Sequence, residues 1–353
     1  MTTPTEGKMT NPAKTLVWLQ YFVFGAAVLY FGRDLFVPLS FALLIAFVLY
    51  PSCAWMERKG LGRMTAIGIN ISALVLVALG VVALLTKQFV DFIKEWPALQ
   101  ARLEVSFTRL GEALVEFGIS TEQQQNLLTQ AGNETAGSIM GVLNRTITFS
   151  VFSAVMLLLI PIYAVLILYY RKMWVEVLFR LFSKERRDDV KQILSLTIKT
   201  YYNFIKGMGM VYLAVGILNS VGLFLLGIPH AILFGFIAAV LTFIPYVGIM
   251  IGSLLPITVA WATYDSAWYP LGVVGIFMFV QYLEANLIFP IAVSSRLNVN
   301  TLVMLVAIFA GGIVWGLAGM ILFVPFVGIL KLIAAHNPKL KTLAMALGTD
   351  SKL

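Results

Sequence analysis

Apolar runs of about 20 residues recur along the whole chain between short charged loops, and runs of that length are satisfied by crossing a bilayer as helices. The totals point the same way: 60% of the 353 residues are hydrophobic and 12% are charged, with a mean hydropathy of +0.90. That much apolar surface does not fit inside one soluble core, so the chain reads as an all-α polytopic membrane protein. The net charge of +8 sits in loops between apolar runs, as the positive-inside rule expects, and nucleic acid is discounted as a partner. The lone Cys53 excludes an internal disulfide, and the isolated His230 and His336 make no metal-ligand pattern. No nucleophile with a base, metal cluster or phosphate loop is present, so neither an enzyme nor a cofactor is expected. Without a Walker A motif, any transport is not powered by ATP within this chain.

In chain order, Lys8 and Lys14 precede a run from Leu16 to Phe31. It resembles a signal peptide but reads as a retained first helix, because it is long and no Ala-x-Ala-like site follows. Leu35 to Trp55 is the second span and Met64 to about Phe89 the third. Three of the four charges in the loop Glu57–Arg63 between them are positive, which places that loop and the N-terminus in the cytoplasm. From Asp91 to Asn144 seven acids face three bases, a net charge of −4. Trp96, Leu99, Leu103, Phe107, Leu110, Leu114 and Phe117 recur there every three or four positions, the period of an amphipathic helix. Ser120 and Gln123 read as a capping box for a second, shorter helix. Thr148 to Tyr170 is the fourth span; the segment 171–206 after it holds nine bases and four acids, +5, and reads as cytoplasmic helices lying in the interface. The organisation expected is three spans in 1–90, a helical extramembrane insert in 91–147, a fourth span with a basic segment in 148–206, and a transport core in 207–353.

The core holds the irregular stretches. Gly207 to Leu226 is the fifth span, with Asn219 inside it. Ala231–Ile244 and Val247–Thr263 are each too short to cross and, joined, too long; Pro245 and Pro256 make one continuous helix through both unlikely. They read as a hairpin of two half-helices turning at Pro245-Tyr246, with Gly248 and Gly252 on one face to let another backbone approach. Leu271 to Val293 is a full span bearing Gln281, Glu284, Asn286 and Pro290. Leu302 to Ala335, interrupted by Gly311, Gly312, Gly316, Gly319 and Pro325, reads as a second hairpin. Six full spans plus two hairpins place both termini in the cytoplasm. Interrupted hydrophobic segments of this kind are a sequence pointer to a transport site.

Glu284 is the only charged residue between Leu271 and Val293, and a carboxylate there costs several kcal/mol unless neutral, paired or wet. One reading makes it the group that exchanges a proton or holds a cation; the other makes it a hydrogen-bonding anchor between helices. Gln281, three residues earlier, shares its face, while Asn286 points elsewhere and is expected to contact a hairpin. Tyr246 at the turn either touches substrate or anchors at the interface. The glycines 311, 312, 316 and 319 read as packing devices.

Taken together, Pro245-Tyr-Val-Gly248-x3-Gly252-x3-Pro256, Gln281-x2-Glu284-x-Asn286-x3-Pro290 and Gly311-Gly312-x3-Gly316-x2-Gly319-x5-Pro325 resemble the AI-2E family of bacterial permeases, in order and spacing over nearly the whole chain. The chain departs from that pattern after the Glu-bearing span, with Ser294-Ser295 and Asn298-Val-Asn300. The resemblance implies a secondary transporter of the bacterial inner membrane and a homo-oligomer. Its partners would be the lipid bilayer and a small polar solute for export, such as the quorum-sensing signal autoinducer-2; the alternative is sodium or lithium/proton antiport with Glu284 as the coupling carboxylate, the partners then being a monovalent cation and a proton. A non-transporting membrane scaffold is a further reading.

Overall fold

The computed structural model describes residues 12–116, 151–181, 187–242, 247–264, 266–292, 299–337 and 340–348. The described elements are α1 Pro12–Phe31, α2 Arg33–Arg58, α3 Arg63–Glu116, α4 Val151–Leu181, α5 Arg187–Leu225, α6 Ala231–Leu241, α7 Val247–Thr263 and α8 Trp268–Leu283. A π-helical turn, Glu284–Ile288, then leads into α9 Phe289–Ala292, α10 Thr301–Ala335 and α11 Lys341–Leu347. The β pairing among the described residues is one isolated bridge between Val299 and Gly348. Pro245, Tyr246 and the capping box Ser120/Gln123 lie outside the described residues.

By length and composition, six stretches are apolar enough to cross a membrane: 33–58, 63–103, 157–181, 187–225, 268–292 and 301–335. The last is not one rod. Gly316 has φ 62° and ψ −143°, which ends helical winding, and a Cβ on Gly311 would strike the Gly319 carbonyl while one on Gly319 would strike the Gly311 carbonyl. Eight residues apart on a straight helix these glycines would stand about 12 Å apart. The chain therefore reverses at Gly316, the expected second hairpin. Gly312 faces Met320 in the same seam, whereas Pro325, expected among the interruptions, is buried within the continuous second arm. Beside these, α1 is 20 residues and about 30 Å long, and its apolar part, Leu19–Phe31, is one of the shorter apolar helices together with α6 and most of α7. Trp315, beside the reversal, donates its indole N–H to the Leu29 carbonyl near the end of α1 (2.8 Å).

The first hairpin is α6 against α7. A Cβ on Gly248 would strike the Leu241 carbonyl, and one on Gly252 would come 2.9 Å from Ala238 Cα. The close approach expected of these glycines is thus between the two arms of their own hairpin. The second arm has the expected bounds: α7 runs from Val247 to Thr263 with Pro256 inside it. Pro256 is fully buried, and the Ser253 and Thr258 hydroxyls, on either side of it, donate to the Met250 and Leu254 carbonyls. Close packing of this kind lets a proline sit inside a membrane helix.

Two features of the bundle correct the reading of its ends. Residues 187–206 do not lie in the interface as a separate helix; they are the first half of α5. Thr197, Tyr201, Phe204, Val211 and Val215 are buried at steps of four, three, seven and four, so one apolar stripe continues in phase through Gly207 and turns inward. Likewise the acidic insert begins as an uninterrupted extension of α3, whose helix crosses the compositional boundary at 90/91 and continues to Glu116. Its Phe92, Trp96 and Leu99 are buried against Ile228, Ala231, Phe234 and Ala262, which gives the apolar period of that segment its partner. At this end Glu95 accepts from or donates to His230 through Oε2 and Nε2 (3.0 Å), and the Tyr264 hydroxyl donates to the Gly227 carbonyl. Both arms of the first hairpin thus meet the acidic insert. At the opposite end, Arg171 pairs with Glu57 and Arg63 donates to the Tyr169 carbonyl (3.3 Å), which brings together the two basic loops.

Where the motif departs from its family pattern, Asn300 caps α10. Its side chain accepts from Val303 N–H (2.8 Å) and donates to the Ala346 carbonyl (2.9 Å), tying the second hairpin to α11. Asn300→Ala is expected to lower stability by about 1 kcal/mol, the cost of an N-cap, read as a lower midpoint of thermal unfolding in detergent; an unchanged midpoint would show the cap to be idle.

Candidate transport site

The site is built on α8. Val273, Phe277 and Val280 are its buried residues, at steps of four and three, and four further on the same stripe comes Glu284. An apolar stripe thus ends in a carboxylate that is carried into the protein by the same face that packs the helix. There the winding changes. Phe289 N–H bonds the Glu284 carbonyl five residues back, the signature of a π turn. Pro290 supplies the cause: it lacks the N–H that would bond Asn286, so the helix widens by one residue ahead of it. Pro290, borne by this span in the sequence, thus lies directly after the π turn.

Glu284 is half-buried, and its Oε2 is enclosed with no hydrogen-bond partner among the described residues. Tyr212 on α5 lies within electrostatic range of it. The next turn, Ile288 and Phe289, packs with Val211 and Val215 of α5 and with Val303, Met304, Val324 and Val327 of the second hairpin. On the other side α7 of the first hairpin and α8 enclose an open groove of about 480 Å³. Ile249, Met250, Ser253, Phe277, Gln281 and Ala285 are among its lining residues. The π turn therefore sits between the two hairpins.

Not every candidate gathers there. Gln281 lines the groove, but Glu284 does not, so the two share a helix face without sharing one opening. Asn286 is exposed and donates to the Tyr282 carbonyl of its own helix (2.9 Å); the expected contact with a hairpin is replaced by this local bond. Gly248, Gly252, Pro256, Gly311, Gly312 and Gly319 are buried or half-buried packing positions within the hairpins. Tyr212 was not singled out in the sequence. Its signal was weak, since it is one aromatic residue within a span, and only the crossing of α5 and α8 brings it to the carboxylate.

The sequence is similar to known proteins over most of its length. The profile of the AI-2E family transporter matches residues 19–339. A Bacillus subtilis (strain 168) protein provisionally named transport protein YrrI is 24% identical over 336 residues, covering 88% of this chain and 88% of its own length. Two Escherichia coli (strain K12) proteins, with the provisional names transport protein YhhT and permease PerM, are each 22% identical over 90% of this chain and over 89% and 92% of their own lengths. With a match over nearly its whole length, a helical membrane fold and two hairpins around a carboxylate-bearing span, this chain belongs to the AI-2E transporter family.

Proposed function

We propose that this protein is a secondary transporter of the bacterial inner membrane, both termini cytoplasmic, that couples flux to a proton or monovalent cation bound at Glu284. The Oε2 of Glu284, enclosed and without a hydrogen-bond partner among the described residues, carries this reading. An ionised carboxylate left without a donor in such surroundings costs several kcal/mol, so the oxygen either holds a proton or faces a cation. Alternation between those two states is the elementary step of cation/proton exchange. The π turn beneath it is a winding often found where helices carry function, and the flanking hairpins are elements that can shift against it.

A second reading, export of a small polar solute such as autoinducer-2, is favoured by the groove beside Gln281, whose volume of about 480 Å³ is that of a small-molecule site. Proteoliposomes holding the full chain distinguish them. An imposed pH gradient is expected to drive sodium or lithium flux, reported by a trapped pH dye. Autoinducer-2 efflux without cation dependence would replace the first reading by the second, and no flux of either would leave a scaffold.

A further inference from the structure

The apolar half of α5 carries a polar residue that the site on α8 leaves unexplained. Asn219 is 3% exposed, and its Oδ1 is enclosed with no hydrogen-bond partner among the described residues. An asparagine inside a membrane helix ordinarily links it to a neighbour by hydrogen bonds. An enclosed oxygen without a donor is instead a cost to the fold.

The packing of α5 fixes where that side chain is directed. A Cβ on Gly222 would strike Ile276 of α8, and one on Gly216 would strike Phe236 of α6. Asn219 stands three residues from each glycine, so it occupies the face between them, toward the corner enclosed by α5, α6 and α8. Helices α5 and α8 run antiparallel: Gly222 meets Ile276, and Leu226, four residues on, meets Gly272, four residues back. Carried the other way, the same register sets Phe279 level with Asn219, five residues and about 7 Å before Glu284. Each Cα–Cβ bond leans toward the N-terminus of its own helix, so in this antiparallel pair the Asn219 and Glu284 side chains lean toward each other and close that gap. Tyr212, two turns before Asn219 on the same face, lies within electrostatic range of Glu284, which places the carboxylate at this corner.

Glu284 Oε2 and Asn219 Oδ1 are thus two converging acceptors, both enclosed and both without a hydrogen-bond partner among the described residues. Neither an ionised carboxylate nor an amide oxygen can donate to the other, so a positive group between them satisfies both. Hard cations are held by oxygen ligands of this kind, carboxylate and amide carbonyl together.

We infer that Asn219 is a ligand of the transported cation, with sodium or lithium held between Glu284 Oε2 and Asn219 Oδ1. The inference rests on the role proposed for Glu284 and adds the neutral oxygen that a lone carboxylate lacks. In this arrangement the carboxylate exchanges the proton, and the amide oxygen sets the affinity for the cation.

Binding of radiolabelled sodium to the purified full chain in detergent, alongside sodium flux in proteoliposomes, tests the assignment. Asn219→Leu keeps the size of the side chain and removes the unmatched oxygen, so the fold is expected to stand. Its dissociation constant for sodium and the KM of flux are expected to rise roughly tenfold, with the pH profile of flux at saturating sodium unchanged. Should that variant fail to fold, Asn219→Ser, whose oxygen reaches less far, is expected to weaken binding several-fold. Ser220→Ala is the control: Ser220 Oγ faces Gly235 in the seam between α5 and α6, and sodium affinity is expected to match the wild type. Glu284-dependent binding that Asn219→Leu leaves unchanged overturns this ligand and spares the role of Glu284, whereas no sodium or lithium binding by the wild type overturns both. A shifted pH profile with unchanged sodium affinity gives Asn219 to the proton and overturns the cation site. Equal weakening in Ser220→Ala overturns it too, as a loss of helix packing.

Discussion

Glu284→Gln is expected to reduce pH-driven cation flux in proteoliposomes to the level of protein-free vesicles while the protein remains folded. The amide has nearly the volume of the carboxyl group but neither gives up a proton nor neutralises a cation, so packing is kept and exchange is lost. The location makes the effect large. Glu284 ends the buried stripe Val273, Phe277, Val280, its Oε2 has no partner among the described residues, and no other acid lies in the described part of α8 and the π turn to substitute for it. Because a carboxylate that lacks a donor is a stability cost in such a site, the midpoint of thermal unfolding is expected to stay the same or rise slightly in the variant. Glu284→Asp, one methylene shorter, should keep part of the flux. Wild-type flux in Glu284→Gln vesicles would remove the carboxylate from the mechanism; a collapse in stability with flux lost would instead mark it as an anchor.

The second large effect concerns the reversal in α10. Gly319→Leu places a side chain where the Gly311 carbonyl already stands, and the two arms can accept it only by separating. Overpacking of this kind costs about 3 kcal/mol, on the order of 5 °C or more in thermal midpoint. Gly316 tests a different term at the same hairpin. A Cβ there meets nothing within 4 Å, so Gly316→Ala is opposed only by the backbone conformation, a region essentially restricted to glycine and worth about 1–3 kcal/mol. Gly68, exposed on α3 with open space around it, is the control: Gly68→Ala should be neutral or stabilising by up to ~1 kcal/mol. Equal midpoints for the Gly319 and Gly68 variants would show that the hairpin does not close as described.

The hairpins were legible because they leave marks that are local in sequence. A block too long to cross once and studded with glycines, as in 302–335, has few ways to fit a bilayer, and a pair of short blocks around Pro245 has few more. The exact reversal was not legible. Gly311, Gly312, Gly316 and Gly319 look alike on paper, and only φ 62° at Gly316 separates the residue that turns the chain from those that line the seam. Helix length was misjudged where composition changes without a break in winding. The boundaries near 90 and 206 are changes of composition, and backbone hydrogen bonding in α3 and α5 carries across them because nothing there removes a donor.

By itself the sequence determined the helical membrane class, the long apolar segments, the two interrupted blocks and the isolation of one acid among apolar residues, since each depends on the length and hydrophobicity of contiguous segments. Only the tertiary structure decided what surrounds that acid. Tyr212 and Glu284 are 72 positions apart, Glu57 and Arg171 are 114 apart, and Glu95 and His230 are 135 apart. Such pairs are created by helix crossings, which follow from side-chain shape over whole faces and leave no local trace.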